Sequence, residues 1–326
     1  MHVTGNVLVT GSSGFIGSYL TSELMCRKGV RRVIGMDMAP IPQATTGPHV
    51  HIQQRITKGL MLAALHDYEI DTVFHLAAEA SVDGSIKSPE YYCDSNCGSV
   101  AAVLDAVRSY VQDKKERVRV VNVNTDEVYG PSLAKGADEY APYAPTNPYS
   151  ASKAFGALLA QVYHETYGLD VVTTFACNTY GPMQGFDKLI PRAIRLLSEG
   201  KKVPIYGDGT QFRNWMYVSD HCRALILAAS QGEEGGRYNV GTDSRLTTVE
   251  VVALVALAMG LSPDTMDALV EFGVEDRASH DQGYMMHTTA IRRLGWDSKV
   301  GPHSGIQQTV NWYLAHKHLW TTFSSY

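Results

Sequence analysis

Thr10-Gly11-Ser12-Ser13-Gly14-Phe15-Ile16-Gly17 follows directly on the apolar run 7–10 and leads into an amphipathic stretch, 18–27. A strand that turns through three glycines into a helix constrains the fold more than any other feature of the chain. The glycines allow a tight turn and a close approach to a pyrophosphate. The helix start offers unpaired N–H groups and a positive dipole end. A glycine trio alone is as often a structural turn; its position between strand and helix carries the phosphate-binding reading. Asp37 closes the next apolar run, 33–36. A carboxylate there binds the adenosine ribose and repels a 2′-phosphate, so the expected cofactor is NAD rather than NADP.

Strand and helix signals alternate through the first half. Runs 72–76, 118–123 and 170–175 read as strands, and 100–110 and 149–167 as helices. This alternation predicts an α/β fold with a doubly wound parallel sheet of the Rossmann type. After about Cys177 turn-rich segments take over, at 182–191 and 204–209, with helical stretches 189–200 and 248–260. The expected division is a dinucleotide-binding domain over 1–176, with return crossings near 210–240, and a smaller mixed substrate-binding lobe over 177–326.

A net charge of −5 gives no basic field, so no nucleic-acid partner is expected. The apolar run 251–259 is about half a membrane span, so no membrane partner is expected either. Asn6-Val-Leu-Val-Thr10 is strand-like from the start, with no signal peptide expected ahead of it. Five scattered cysteines suit reduced thiols and a cytoplasmic protein. Cys93 and Cys97 lie one helical turn apart without a second pair to complete a zinc set, so no metal is expected.

The chemistry centres on Thr125-Asp126-Glu127-Val-Tyr, with Tyr149-Ser-Ala-Ser-Lys153 some twenty residues on. Tyr-x-x-x-Lys sets a phenol and an ammonium one helical turn apart on one face. The cation favours the phenolate, so Tyr149 is a candidate base. Thr125 adds a hydroxyl that donates or accepts. These three suffice to oxidise a sugar hydroxyl beside a nicotinamide. Asp126 and Glu127 add an acid and a base that a simple dehydrogenase does not need. On an extended strand end, the two neighbours would point in different directions.

Taken together, these segments resemble the extended short-chain dehydrogenase/reductases, and within them the dTDP-glucose 4,6-dehydratases. The resemblance rests on Gly11–Gly17, His75-Leu-Ala-Ala-Glu79, Thr125-Asp-Glu-Val-Tyr-Gly130 and Pro148-Tyr-Ser-Ala-Ser-Lys153. It continues through Asn178-Thr-Tyr-Gly-Pro182, Lys188-Leu-Ile-Pro191, Tyr206-Gly-Asp-Gly209, Arg213-Asn-Trp215, Asp220-His-Cys-Arg223, Tyr238-Asn-Val-Gly241 and Leu294-Gly-Trp296. It implies that Tyr149 takes the C4 hydroxyl proton and contacts the cofactor, that Lys153 lowers the phenol's pKa and holds the nicotinamide ribose, and that Thr125 holds the C4 oxygen. Glu127 would remove the C5 proton, and protonated Asp126 would release the C6 hydroxyl as water. It also implies cofactor contacts from Ile56, Leu76, Ala77 and Ala78. Substrate contacts would come from Glu79, Ser81, Asn178, Lys188, Leu189, Pro204, Tyr206, Arg213, Asn239, Arg277, His280 and Tyr284. Arg213 and Arg277 would clamp a diphosphate with bidentate bonds. The expected substrate is a pyrimidine diphosphate-hexose, dTDP-glucose first and UDP-glucose next. A homodimer through two helices per subunit is expected on the same ground.

Several positions depart from the family pattern. The usual Ser-His-Val-Asp-Arg-Ser after Glu79 is here Ala80-Ser81-Val-Asp-Gly84-Ser85, without the histidine and arginine. Arg55 stands where an acid on the adenine side is expected. The usual Thr-Tyr-Ala-Gly-Asn run after Asp37 is missing. Ser95 replaces an asparagine, though Asn96 adjoins it, and Thr179 replaces another. These changes leave the hexose open. A nucleotide-sugar 4-epimerase or decarboxylase would reuse Tyr149 and Lys153 but has no need of Asp126. A non-catalytic nucleotide-binding regulator could also occupy this fold, yet it would be free to lose any of the five catalytic-type residues.

Overall fold

The structure, a computed structural model, describes residues 3–131, 136–262, 266–274 and 281–321. Its strands are β1 (Gly5–Thr10), β2 (Val30–Asp37), β3 (Val50–Gln53), β4 (Ile70–His75), β5 (Arg119–Thr125), β6 (Val171–Ala176), β7 (Asn178–Tyr180), β8 (Val203–Tyr206), β9 (Phe212–Tyr217), β10 (Arg237–Val240), β11 (Arg245–Thr247) and β12 (Val270–Val274). Its helices are α1 (Phe15–Met25), α2 (Lys58–Tyr68), α3 (Val82–Lys87), α4 (Pro89–Lys114), α5 (Pro148–Tyr167), α6 (Leu189–Ser198), α7 (Val218–Gln231), α8 (Thr248–Ala258), α9 (Met266–Leu269), α10 (Thr289–Arg293) and α11 (Pro302–Ala315).

Seven strands form one sheet in the order β10-β6-β5-β4-β1-β2-β3, and every pairing in it is parallel. Both faces are covered, which is why β1 and β6 read as continuous apolar or small runs rather than alternating ones. Alternate side chains of β1 serve opposite faces. Val7 and Val9 pack in a core with Leu20 and Leu24 of α1 and Leu225 and Ile226 of α7. Leu8 packs with Met61 and Leu65 of α2, Val103 and Val107 of α4, and Ala160 of α5. The expected doubly wound sheet is therefore present. Strand order reverses between β1 and β4, which opens a crevice at their C-terminal ends.

β10 pairs with β6, so a strand from late in the chain completes the first sheet. The remaining strands make a three-stranded sheet, β11-β9-β7, and a two-stranded one, β12-β8. Several boundaries differ from the sequence reading. Helix α1 starts at Phe15, not residue 18, because Gly14 sits extended at its N-cap (ψ 171°). Helix α4 runs on both sides of 100–110, opened by Pro89 in its first turn. Strand β8 lies within the turn-rich stretch; Pro204 is tolerated because β8 pairs only with β12. Among the described residues no helix is long and apolar enough to cross a membrane.

Candidate active site

A cavity of about 850 Å³ fills the crevice. It is lined at one end by Gly11, Gly14, Phe15, Ile16, Gly17, Asp37, Arg55 and Ile56. The other end is lined by Thr125, Asp126, Glu127, Tyr149, Lys153 and Asn178, with Leu76, Ala77, Ala78 and Glu79 between and Lys188 at its edge.

The glycine end fits a dinucleotide. Gly11 holds φ +70°, and a Cβ there would come within 2.8 Å of the Ala77 nitrogen; a Cβ at Gly17 would strike the Gly11 carbonyl at 1.9 Å. The turn therefore packs directly against the Leu76–Ala77 wall. Helix α1 has no side-chain cap and no acid in its first turn, so its leading N–H groups remain for an anion. The Asp37 carboxylate accepts from the Ser13 and Ala39 N–H groups, each at 2.9 Å, which fixes it at the mouth of the glycine turn. Beyond it, Arg55 donates to Asp94 at 2.6 Å across the far end of the cavity.

At the other end, β5 delivers Thr125, and the chain turns at once into a single 3₁₀ turn, Asp126–Tyr129. The expected extended strand end is thus corrected: with about three residues per turn, neighbours still diverge. Thr125 Oγ1 donates to Asp126 Oδ1 at 3.3 Å and accepts from the Glu127 N–H at 3.4 Å. Asp126 is only 3% exposed. Burial, then the Glu127 charge, push its carboxyl up to about 7, while Arg213 and the Thr125 hydroxyl pull the other way. An acid half-protonated at neutral pH beside a second carboxylate is the pattern of a paired acid and base.

Helix α5 carries Tyr149 and Lys153. Its start is fixed by a capping box between Asn147 and Ser150 with Pro148 in the first turn. Lys153 Nζ donates to the Val123 carbonyl at 2.8 Å, and burial draws its pKa down to about 8. Tyr149 and Thr125 line the same cavity. Burial and then the Glu127 charge hold the phenol above its ordinary value, while the Thr125 hydroxyl pulls it the other way.

The other expected substrate residues divide. Arg213 lies over the Tyr284 ring at 4.7 Å, donates to the Phe212 carbonyl at 2.7 Å, and its charge acts on Asp126. It does not line the cavity, and its charge reaches Asp126 from behind the wall. Lys188 Nζ donates to the Ala80 carbonyl at 2.8 Å and pairs with Asp187 at 2.9 Å, spanning the cleft from the later part of the chain. Ser81 caps α3 by accepting the Gly84 N–H at 3.1 Å. Leu189 begins α6, and Pro204 and Tyr206 lie on β8; none of the three lines the cavity. Asn239 is fully buried; its amide donates to Ala137 and His287 and accepts from Tyr129, so it braces the scaffold rather than facing a ligand. Arg277 and His280 lie outside the described residues.

Three asparagines that the sequence reading did not single out as site residues organise the walls. Asn96 grips the backbone of Glu79 on both sides, accepting its N–H at 2.8 Å and donating to its carbonyl at 3.1 Å, and also donates to Ser152 at 2.9 Å. Asn124 accepts the Thr125 N–H at 2.9 Å and donates to the Lys153 carbonyl at 2.8 Å. Asn147 donates to Glu127 Oε2 at 3.4 Å. Only the position of Asn124, at the end of a buried strand beside Thr125, carries a signal in the sequence. Gly84 is also explained: a Cβ there would meet the Tyr92 hydroxyl at 2.3 Å, so the phenol fills the space beside it.

Comparison with known proteins agrees with this geometry. The model of the NAD dependent epimerase/dehydratase family matches residues 7–241. The chain is 36% identical to the dTDP-glucose 4,6-dehydratase of Xanthomonas campestris pv. campestris, covering 95% of this chain and 93% of that one. It is 38% identical to that of Streptomyces griseus, covering 98% and 97%. The crystal structure of the Streptomyces venezuelae dTDP-glucose 4,6-dehydratase with NAD and TYD bound superposes with a TM-score of 0.87 at 32% identity, covering 98% of this chain and all of that one. The Thermus thermophilus UDP-glucose 4-epimerase in complex with NAD gives 0.84 at 28% identity, covering 95% and 99%. A glycine turn built for a dinucleotide, Tyr149 and Lys153 on one helix, and a match over most of the length lead to one assignment: the chain belongs to the NAD dependent epimerase/dehydratase family.

Proposed function

We propose that this protein is an NAD-dependent nucleotide-sugar 4,6-dehydratase. It converts a pyrimidine diphosphate-hexose, dTDP-glucose first, to the 4-keto-6-deoxy sugar and water. The observation that carries the reading is the buried Asp126 beside Glu127, in the same cavity as Tyr149 and Lys153. An epimerase needs the tyrosine and lysine but not an acid poised next to a base.

NAD, when bound, supplies a two-electron acceptor and donor for C4 and C6 and a positive ring charge that favours the phenolate. Tyr149 takes the C4 hydroxyl proton, and Thr125 holds the C4 oxygen. The C4 ketone acidifies the C5 proton, which Glu127 removes. Asp126 gives its proton to the C6 hydroxyl, which leaves as water. The first α1 N–H groups would hold the cofactor's phosphates, and Asp37 would hold its ribose hydroxyls. Two copies pair through α4 and α5, as supported by the exposed apolar stripe Phe155, Leu158 and Val162. The free thiols of Cys26, Cys93, Cys97, Cys177 and Cys222 suit a reducing cytoplasm.

Incubation with dTDP-glucose and UDP-glucose tests the reading through the base-induced ultraviolet absorbance of a 4-keto-6-deoxy sugar. Glu127→Gln should lower C5 exchange with deuterated water by about 10²–10⁴-fold. Asp126→Asn should slow loss of water more than C4 oxidation, so reduced cofactor builds up on the enzyme. Stoichiometric release of NADH into solution by the unmodified protein would refute the dehydratase.

A further inference from the structure

Asn147 makes two connections with one amide. Its Oδ1 accepts the Ser150 N–H at 2.9 Å, and Ser150 Oγ accepts the Asn147 N–H at 3.3 Å, which closes the capping box of α5. Its Nδ2 points the other way and donates to Glu127 Oε2 at 3.4 Å. The residue is 8% exposed, so this geometry is set inside the protein. We propose that Asn147 is a positioning residue that locks the Glu127 carboxylate to the helix carrying Tyr149 and Lys153, and so sets the base against the same sugar ring as the phenol. The proposal rests on the dehydratase reading.

The side-chain chemistry makes this separable from capping. Serine, aspartate and asparagine cap a helix start about equally well. Only asparagine among them has an acceptor for the helix and an N–H for a carboxylate. The bond to Glu127 is long, as catalytic bonds often are before substrate closes on them. Among the described residues, the groups that act with Glu127 include Asp126 beside it in the chain, the Tyr149 phenol from α5 and the Tyr284 phenol; Arg213 lies over Tyr284. Asparagine adds a donor to this set without adding a charge. Aspartate at the same place would put a second carboxylate, after Asp126, against Glu127.

The test is the pH profile of C5 proton exchange in deuterated water, with dTDP-glucose or UDP-glucose, beside the thermal midpoint of each variant. Asn147→Ser should keep the wild-type midpoint, leave KM nearly unchanged and slow exchange by roughly 10–100-fold, since a small misplacement of a reacting group costs on that order. Asn147→Asp should move the acid limb of the profile upward by about one unit or more, because a like charge disfavours the ionised base, and its midpoint should fall below that of wild type as pH rises through the same range. In a Glu127→Gln background Asn147→Ser should have little further effect on exchange. If both single variants exchange at the wild-type rate with the wild-type profile, Asn147 is a cap and nothing more. Should Asn147→Ser fail to fold, Asn147→Thr carries the same comparison, with the same result overturning it. A wild-type protein that forms no keto sugar from either substrate would overturn the dehydratase reading itself, a failure distinct from silent Asn147 variants in an active enzyme.

Discussion

Asp126 shows how one buried residue links chemistry to stability. Its carboxyl is shifted from 3.8 to about 7, chiefly by burial. The sign follows from proton binding. Between those two values the folded chain holds a proton that the unfolded chain has released, so stability falls as pH rises through the window and is flat above it. At about 1.4 kcal/mol per unit the loss is at most ~4 kcal/mol. Asp126→Asn removes it. The thermal midpoint of wild type should therefore fall more steeply from pH 4 to pH 7.5 than that of the variant. Parallel curves would mean that the carboxyl is not perturbed. Thr125, Asp126, Glu127, Tyr149 and Lys153 were legible in the sequence because their chemistry is visible as residue type and spacing. Asn96 and Asn147 were not, because an amide's role depends on which carboxylate or backbone segment folding brings to it. Asn239 misled for the same reason: nothing in the motif says that its amide is taken up by Ala137, His287 and Tyr129.

Elements were legible where their periodicity was long. Helix α5 and the central strands β1, β5 and β6 lie close to where apolar spacing puts them, since a strand covered on both faces must be apolar throughout. The short edge strands β3 and β8 were not, because four residues carry too little pattern and Pro204 argues against a strand. Helix α5 also has a face that the monomer does not use. Phe155, Leu158 and Val162 are 42%, 51% and 48% exposed and lie at i, i+3 and i+7. Two copies meeting along α4 and α5 would bury this stripe. Leu158→Glu would place a charge in the middle of it, and burying an unpaired charge is strongly unfavourable. Light scattering should find a dimer for wild type and a monomer for Leu158→Glu. A wild-type monomer at micromolar concentration would remove the proposed interface.

At the scale of the whole molecule the division at residue 176 meets a structure that crosses it repeatedly. β10 joins the first sheet beside β6. One core cluster holds Val7, Val9, Leu24 and Phe74 together with Ile190, Val251, Ile306 and Val310. Lys188 reaches back across the cleft to Ala80. Cutting at 176 would bare the β6 edge and most of that shared core, so we propose that the two parts unfold as one cooperative unit. All four tryptophans, Trp215, Trp296, Trp312 and Trp320, lie in the later part. Their fluorescence therefore reports that part alone, while far-UV circular dichroism reports the sheet and helices of both. In urea the two signals should trace one transition with one midpoint. NAD at about 100 times its dissociation constant should shift both by the same ~2.7 kcal/mol, because a ligand stabilises whatever unfolds with its site. A fragment of residues 1–176 should stay unfolded or aggregate. Separate midpoints, or a fragment that folds and binds NAD, would make the two parts independent domains.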